Sequence, residues 1–154
     1  RIGFIAAPVA MAKAVTKLQG QTTSGISTIA QMAALAAYTG PQQCVEDMRV
    51  AFERRRDLVV RLAAEIPGLK ANKPDGAFYL FPEVSAFLGK TAPDGRVIAT
   101  DNDLCLYLLE VAHVATVPGS AFCLPGYIRL SYAASDEALT EAFSRLRTAL
   151  AQLN

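Results

Sequence analysis

The stretch Gly-Tyr-Ile-Arg-Leu-Ser-Tyr-Ala, residues 126–133, alternates in polarity as a β-strand does and follows a loop that contains Pro-Gly pairs. A period of two places Ile128, Leu130 and Tyr132 on one face of this strand. Arg129 then lies on the opposite face. A guanidinium is a rigid fork that matches a carboxylate through two hydrogen bonds, so one interpretation of Arg129 is an anion-binding residue. The same pattern also fits an edge strand whose arginine faces water.

The composition is that of a globular chain with nearly balanced charge. Its 154 residues are 52% hydrophobic and 19% charged, and the formal net charge is +1. This length allows one good-sized domain with a substantial core. The one dense basic run, Arg54-Arg55-Arg56, is interrupted by Glu53 and Asp57 and is expected to be a solvated helix face. Without a basic excess or a long apolar stretch, neither nucleic acid nor a membrane is expected as a partner.

The cysteines and the single histidine do not suggest a metal site or a disulfide framework. Cys44, Cys105 and Cys123 are widely spaced and odd in number, which favours free thiols in a reducing compartment. His113 lies in an apolar, strand-like context and is interpreted as structural rather than as a metal ligand or a catalytic base. Since the start lacks the pattern of a signal peptide, a cytoplasmic location is predicted.

Three helices are predicted in the first part of the chain. Pro8 can open a helix that runs to about Leu18, because proline is tolerated in a first turn. A capping-box pattern at residues 28–31 predicts the start of an alanine-rich helix that ends near Gly40. A third helix is predicted over residues 41–66. Its apolar stripe comprises Val45, Met48, Phe52, Val59, Leu62 and Ile66.

After residue 68 the pattern changes to short strands and turns, which predicts a compact α+β unit. Residues 69–71 and 77–81 are expected to form a hairpin around a turn at 73–76. Thr100 is expected to cap a helix that ends at about Ala112. The remaining predicted elements are strands at 113–117 and 127–132 and a helix from Ser135 to about residue 152, with the apolar stripe Leu139, Phe143, Leu146 and Leu150. We expect the helices to cover a small sheet.

The first residues read as a strand without a lead-in, so the sequence looks like a cut chain. Residues 1–40 are therefore expected to belong to a larger domain. We expect apolar surface from Ile2, Phe4 and the alanine-rich helix to be uncovered, which would favour oligomerisation.

Four segments form an ordered set along the chain: residues 1–3, 74–79, 117–122 and 127–133. In order and spacing they resemble the C-terminal part of class I aminotransferases, which are pyridoxal-phosphate enzymes of fold type I. The closest likeness is to the bacterial aspartate aminotransferases, and it spans the whole chain. The resemblance implies an α/β chain in which residues 1–40 are a remnant of the large cofactor-binding domain. Residues 41–154, including the long connecting helix, would be the C-terminal small domain, with a mainly antiparallel sheet packed against helices.

The resemblance also implies roles for particular residues. Arg129 would bind the α-carboxylate of the substrate through a bidentate pair, and Arg1 would neutralise the phosphate of the cofactor. Phe78 would close over the substrate, although a core phenylalanine explains it nearly as well. The loop at residues 22–24 resembles one that reaches toward the neighbouring subunit's active site in the family's homodimer.

The sequence departs from the family pattern in two respects. The lysine that forms the Schiff base precedes the phosphate-binding arginine in the family, and this chain begins at that arginine, so no catalytic residue is assigned. None of the lysines in this chain has the environment that a Schiff-base lysine needs; they are Lys13, Lys17, Lys70, Lys73 and Lys90. The chain alone is therefore expected to be inactive and to lack pyridoxal phosphate. Cys123 stands where the family commonly has glycine, which questions the backbone path of the loop.

For the complete protein, the resemblance implies reversible transfer of an amino group between an amino acid and a 2-oxo acid, with a leaning toward aspartate or glutamate. Two alternatives stay open. One is a pyridoxal-phosphate lyase or synthase of the same fold. The other is a non-catalytic module that binds a carboxylate or mediates dimerisation.

Overall fold

The computed structural model describes residues 2–154, and the chain divides into two units, Arg1–Asp47 and Met48–Asn154. The division falls inside the third helix. The assignment of residues 1–40 and 41–154 to the two domains of a larger enzyme stays a prediction.

The first unit contains helices α1 (Val9–Thr22) and α2 (Thr28–Thr39). Residues 2–7, expected to read as a strand, form neither helix nor strand. Pro8 is the N-cap of α1, as its position predicts, but the helix runs past Leu18 to Thr22. The predicted capping box of α2 is wrong, because Ser27 is the N-cap and Gln31 lies one residue too late. The Gln31 amide instead donates to the carbonyl of Ile26 at 2.9 Å.

Apolar side chains of the first unit are exposed to a large extent. No residue of α1 or α2 is buried, and Phe4 and Ile29 keep 74% and 83% of their surface exposed. Ile2 is exposed as well, so the prediction of uncovered apolar surface in this unit is confirmed.

Helix α3 (Gln43–Ala64) packs through only part of its predicted stripe. Val59 is buried, Phe52 and Leu62 lie against the core, and Ile66 is buried two residues beyond the end of the helix. The beginning of the stripe, Val45 and Met48, is exposed.

The basic run on α3, predicted to be a solvated helix face, is exposed only in part. The side chains of Arg55 and Arg56 keep only 25% and 16% of their surface exposed. Arg54, which is more exposed, pairs with Asp136 at 3.1 Å, and Arg55 approaches the same carboxylate at 3.7 Å. These pairs link α3 to the start of the last helix.

A small antiparallel sheet is the centre of the second unit. Its strands are β1 (Tyr79–Leu80), β2 (Val117–Pro118) and β3 (Ile128–Ser131), in the order β1-β3-β2. Tyr79 pairs with Ser131 across the first interface, and Val117 pairs with Arg129 across the second. The predicted α/β architecture with a small antiparallel sheet is confirmed.

The expected hairpin between residues 69–71 and 77–81 is wrong. Lys70 pairs with Glu83 in an isolated bridge, while Tyr79 and Leu80 pair with β3. The connection from Lys70 to Glu83 is therefore much too long for a tight hairpin turn.

The expected strand at 113–117 is also wrong over most of its length. Helix α4 (Asp101–Tyr107) continues as a π-helical turn over Leu108–Ala112. His113 ends this turn with φ of 54° and ψ of 38°, in the left-handed region. Because this conformation redirects the backbone, regular pairing begins only at Val117.

Helix α5 (Asp136–Leu150) closes the core as its pattern predicts. All four residues of its stripe are buried: Leu139, Phe143, Leu146 and Leu150. Each such side chain contributes about 1.5–3 kcal/mol through burial. The hydroxyl of Tyr107 donates to the Ala149 carbonyl at 2.9 Å, which joins α4 to α5 inside the core.

Candidate functional site

Arg129 lies on the central strand of the sheet, so the interpretation of an edge strand is wrong. Ile128 and Leu130 are buried, Arg129 is half-buried and Ser131 is exposed, which confirms the alternation. The buried neighbours fix β3 against the core. Arg129 is therefore mounted on a rigid element with its side chain on the opposite face.

Two aromatic rings flank the guanidinium of Arg129. Its Cζ lies 4.5 Å from the ring centroid of Tyr79 and 4.6 Å from that of Phe122. Tyr79 comes from β1, and its pairing with Ser131 places it on the Arg129 face. Phe122 comes from the other side, at the end of a 3-10 turn that follows β2. We call Arg129, Tyr79 and Phe122 the arginine clamp.

The arginine clamp leaves the donors of Arg129 available. No carboxylate within residues 2–154 forms an ion pair with its guanidinium. The Arg129 Cζ lies over both rings, and such contacts are worth about 0.5–1 kcal/mol each at exposed sites. The N–H donors point out in the guanidinium plane, where a carboxylate can accept two parallel hydrogen bonds.

The turn that carries Phe122 depends on Gly119. A Cβ at this position would lie only 2.8 Å from the Cβ and the carbonyl oxygen of Tyr127, so a larger residue does not fit. The Gly119 N–H donates to the Tyr127 carbonyl at 2.7 Å, and the Gly119 carbonyl accepts from Leu124 at 3.0 Å. The Pro-Gly pair in the sequence thus marks a close approach between the turn and β3.

Cys123 ends this turn with φ of 60° and ψ of 23°. The loop therefore keeps a left-handed residue although cysteine replaces the glycine common in the resembling family. A side chain in this region costs about 1–2 kcal/mol. The thiol is free and exposed.

Asp101 is a residue of the site that sequence reasoning missed. Its side chain is buried, with 3% exposure, and its Oδ2 accepts the Ser120 N–H at 2.7 Å. The sequence suggested only an acid in the first turn of a helix. The sequence did contain one signal of this role. Thr100 and Asp103 already form the capping pair of α4, so Asp101 is not needed to cap the helix.

Phe78 contacts the arginine clamp through the ring of Tyr79. Its ring centroid is 4.5 Å from that of Tyr79 and 5.8 Å from that of Phe52. Phe78 also lines a cavity of about 440 Å³ that does not include Arg129. The structure thus connects Phe78 to Arg129 through Tyr79 rather than by direct contact.

Tyr132 fixes the backbone beside Phe78. Its hydroxyl donates to the Ala77 carbonyl at 3.0 Å, and its N–H donates to the Phe78 carbonyl at 2.8 Å. Burial raises the pKa of the Tyr132 hydroxyl, so it stays a donor at neutral pH. Sequence reasoning placed Tyr132 on the buried face but did not identify these bonds.

Three charged side chains that line the cavity beside Phe78 form ion pairs. Arg56 pairs with Asp57 at 2.9 Å and with Glu53 at 3.3 Å, and Arg49 pairs with Glu53 at 2.8 Å. Hydrogen bonding and the charge of Arg49, together with Arg56, lower the pKa of Glu53. Most of the charges that line this cavity are therefore paired, in contrast to the guanidinium of Arg129 in the arginine clamp.

The resemblance assigns one residue, Arg1, to the phosphate of the cofactor. Arg1 lies outside the described residues. Lys70 approaches Glu83 at 3.7 Å, Lys73 pairs with Asp57 at 3.0 Å, and Lys90 donates to the Leu153 carbonyl at 3.0 Å. None of these three lysines contacts Arg129, and the described residues alone do not fit a pyridoxal-phosphate site.

The loop at residues 22–24 is exposed and includes Ser24 with φ of 63°. Residues 2–154 contain no group of three or more side chains that could hold a metal ion. None of the helices in the described part of the chain is long and apolar enough to cross a membrane.

Comparison with known proteins gives consistent matches over nearly the whole chain. The family model for aminotransferase class I and II matches residues 1–146. The aspartate aminotransferase of Rhizobium meliloti (strain 1021) is 47% identical over 154 residues, which are 100% of this chain and 38% of that protein. The probable aspartate/prephenate aminotransferase of Rhizobium leguminosarum bv. phaseoli is 46% identical over 147 residues, which are 96% of this chain and 37% of that protein.

A solved structure matches at the level of the fold. The crystal structure of the aspartate aminotransferase from Rhizobium meliloti has a TM-score of 0.87 and 46% identity, and the match covers 97% of this chain and 37% of that one. The present chain therefore spans well under half the length of the relatives that it matches.

Proposed function

The chain belongs to the class I and II aminotransferase family, and we propose that the complete protein carrying it transfers an amino group between an amino acid and a 2-oxo acid. The resemblance seen in the sequence is thereby confirmed, and the fold is that of fold type I aminotransferases. In the proposed reaction Arg129 binds the α-carboxylate of either substrate.

One observation carries this proposal: Arg129 is held between Tyr79 and Phe122 and has no carboxylate partner among residues 2–154. A half-buried guanidinium without an ion-pair partner favours an external anion. Because the N–H donors of a guanidinium lie in its plane, a carboxylate would approach in that plane. That approach orients the rest of the substrate relative to β3, which is a binding and positioning role.

The proposed amino donors are aspartate and glutamate. The leaning comes from relatives named for aspartate, or for aspartate and prephenate. We further propose that the complete protein is a cytoplasmic homodimer that uses pyridoxal phosphate, with Arg1 at the phosphate. Phe78 is proposed to close over the substrate. Because the described residues do not fit the cofactor, we expect residues 1–154 alone to be inactive.

The test uses the complete protein, aspartate and 2-oxoglutarate. We expect Arg129→Ala to lower kcat/KM about 100-fold or more, since two charge-assisted hydrogen bonds are lost. Arg129→Lys should recover part of the activity, because lysine keeps the charge and loses the fork. Arg145→Ala is the control, since Arg145 is an exposed arginine of α5 that pairs with Glu141.

The same assay separates the alternative functions. A transaminase consumes aspartate only when a 2-oxo acid is present, whereas a lyase releases product without that acceptor. Turnover without 2-oxoglutarate would favour the lyase or synthase. Absence of turnover with any common amino donor, together with saturable binding of the carboxylate, would favour the non-catalytic module. Equal activities of Arg129→Ala and Arg145→Ala would contradict the role of Arg129.

A further inference from the structure

Asp101 is the one charged residue in the buried set of the described chain. Transfer of a carboxylate from water into a protein interior is unfavourable unless hydrogen bonds or charges compensate it. In residues 2–154 the Ser120 N–H, at 2.7 Å, is the donor that the structure gives to this carboxylate. A charged side chain normally lies at the protein surface, so the burial of Asp101 requires a different explanation.

Capping of α4 does not explain Asp101. The Thr100 N–H donates to Asp103 Oδ2 at 2.8 Å, and the Asp103 N–H donates to Thr100 Oγ1 at 3.2 Å. This reciprocal pair forms a complete capping box at the start of α4. Asp101, between the two, directs its carboxylate to a different segment of the chain.

The segment that Asp101 reaches is the turn of the arginine clamp. Ser120 is the second residue of the 3-10 turn Gly119–Phe122, and Phe122 lies 4.6 Å from the Arg129 Cζ. Gly119 is bonded to Tyr127 beside β3, so one end of the turn is already fixed. The bond to Asp101 fixes the turn from the side of α4.

We infer that Asp101 is a positioning residue for substrate binding: through the Ser120 amide it holds the turn that keeps the Phe122 ring against Arg129. The inference rests on the proposed function of Arg129 as the carboxylate binder. The proposed contact uses an acceptor oxygen, so the conservative variant Asp101→Asn retains it and Asp101→Ala does not. Asp103→Ala is the matched control, because it disturbs the start of the same helix and spares the turn.

Two measurements on the complete protein test this inference. Amide hydrogen exchange is followed in a peptide that covers residues 119–124, and KM and kcat are measured with aspartate and 2-oxoglutarate. For Asp101→Ala we expect exchange in that peptide to be about tenfold faster and KM to rise about tenfold, with a much smaller change in kcat. Asp101→Asn should stay within about twofold of the unmodified protein in both measurements.

The Asp103→Ala control separates an effect on the 3-10 turn from a general disturbance of the start of α4. Asp103→Ala should speed exchange near residue 100 and leave KM unchanged. The inference is overturned if Asp101→Ala matches Asp103→Ala in KM, or if Asp101→Asn is as impaired as Asp101→Ala. Failure of the proposed function is recognised separately, because Arg129→Ala would then leave KM unchanged. That result would overturn both the role of Arg129 and the role of Asp101.

Discussion

The hydroxyl of Tyr132 donates a hydrogen bond at 3.0 Å to the carbonyl of Ala77, a residue 55 positions earlier in the chain. Tyr132 directly follows β3, and Ala77 precedes β1 in a left-handed conformation with φ of 60°. With the second bond from the Tyr132 N–H to Phe78, one buried residue fixes the backbone on which Phe78 is mounted.

Removal of the Tyr132 hydroxyl should loosen this segment. We expect Tyr132→Phe to lower the free energy of unfolding by about 1 kcal/mol, measured by urea denaturation, and to raise KM of the complete protein about threefold. Tyr107→Phe is the matched control, because it removes a core hydroxyl that bonds to Ala149, away from Phe78. It should cost similar stability and leave KM unchanged. Equal KM effects of the two variants would argue against a role for Phe78 in substrate binding.

The ring of Tyr79, rather than its hydroxyl, should hold Arg129. Tyr79→Leu removes the ring and is expected to lower kcat/KM about three- to fivefold, the equivalent of one exposed cation–π contact. Tyr79→Phe keeps a ring at the same place and should stay within about twofold. Steady-state kinetics of the complete protein measure both. A larger loss for Tyr79→Phe than for Tyr79→Leu would assign the effect to the hydroxyl and contradict the arginine clamp.

Cys123 stores backbone strain in the loop. We expect Cys123→Gly to raise the free energy of unfolding by about 1 kcal/mol, because glycine adopts positive φ without the steric cost of a Cβ. Cys123→Ala keeps a Cβ and removes the exposed thiol, so it should change stability by less than about 0.5 kcal/mol. Urea denaturation of both variants decides the matter. Stabilisation by alanine as large as that by glycine would show that the thiol, not the backbone, is the source.

The free energy of unfolding should fall at alkaline pH because the thiol of Cys105 is buried. Burial raises the pKa of Cys105, and the charge of Asp101 adds to the effect. The unfolded chain then loses the thiol proton at about pH 8.5, before the folded chain does, so the contribution to stability is present below that pH and is lost as pH rises through the folded value. Cys105→Ala should flatten the decline of unfolding free energy between about pH 8 and 9.5. Cys44→Ala, at an exposed cysteine, should leave the slope unchanged.

The sequence predicts those parts of the fold that depend on local pattern. The stripe of α5, the start of that helix at Ser135 and the capping residue Thr100 are local signals, and the structure confirms them. The alternation around Arg129 likewise follows from the strand period. Pairing partners do not follow from pattern, which is why the assignment of Lys70 to a hairpin failed: its partner Glu83 is fixed by tertiary packing.

The residues of the candidate site likewise include some that the sequence predicts and some that it does not. Arg129 was found from its residue type and its place on a strand. Tyr79 and Phe122 were not found, because their meeting depends on strand order in the sheet. Asp101 was missed for a different reason, since an acid in a first helical turn has a sufficient local explanation. Only the burial of its carboxylate shows that it serves another segment.

A structure of the complete protein with the dicarboxylate succinate tests the role of Arg129 most directly. We expect one carboxylate of the ligand to lie in the guanidinium plane, with two N–O distances of about 2.7–2.9 Å, and the Tyr79 and Phe122 rings to keep their places. A guanidinium paired instead with a carboxylate of the protein, with succinate bound elsewhere, would contradict the assignment of Arg129 as the substrate-carboxylate binder.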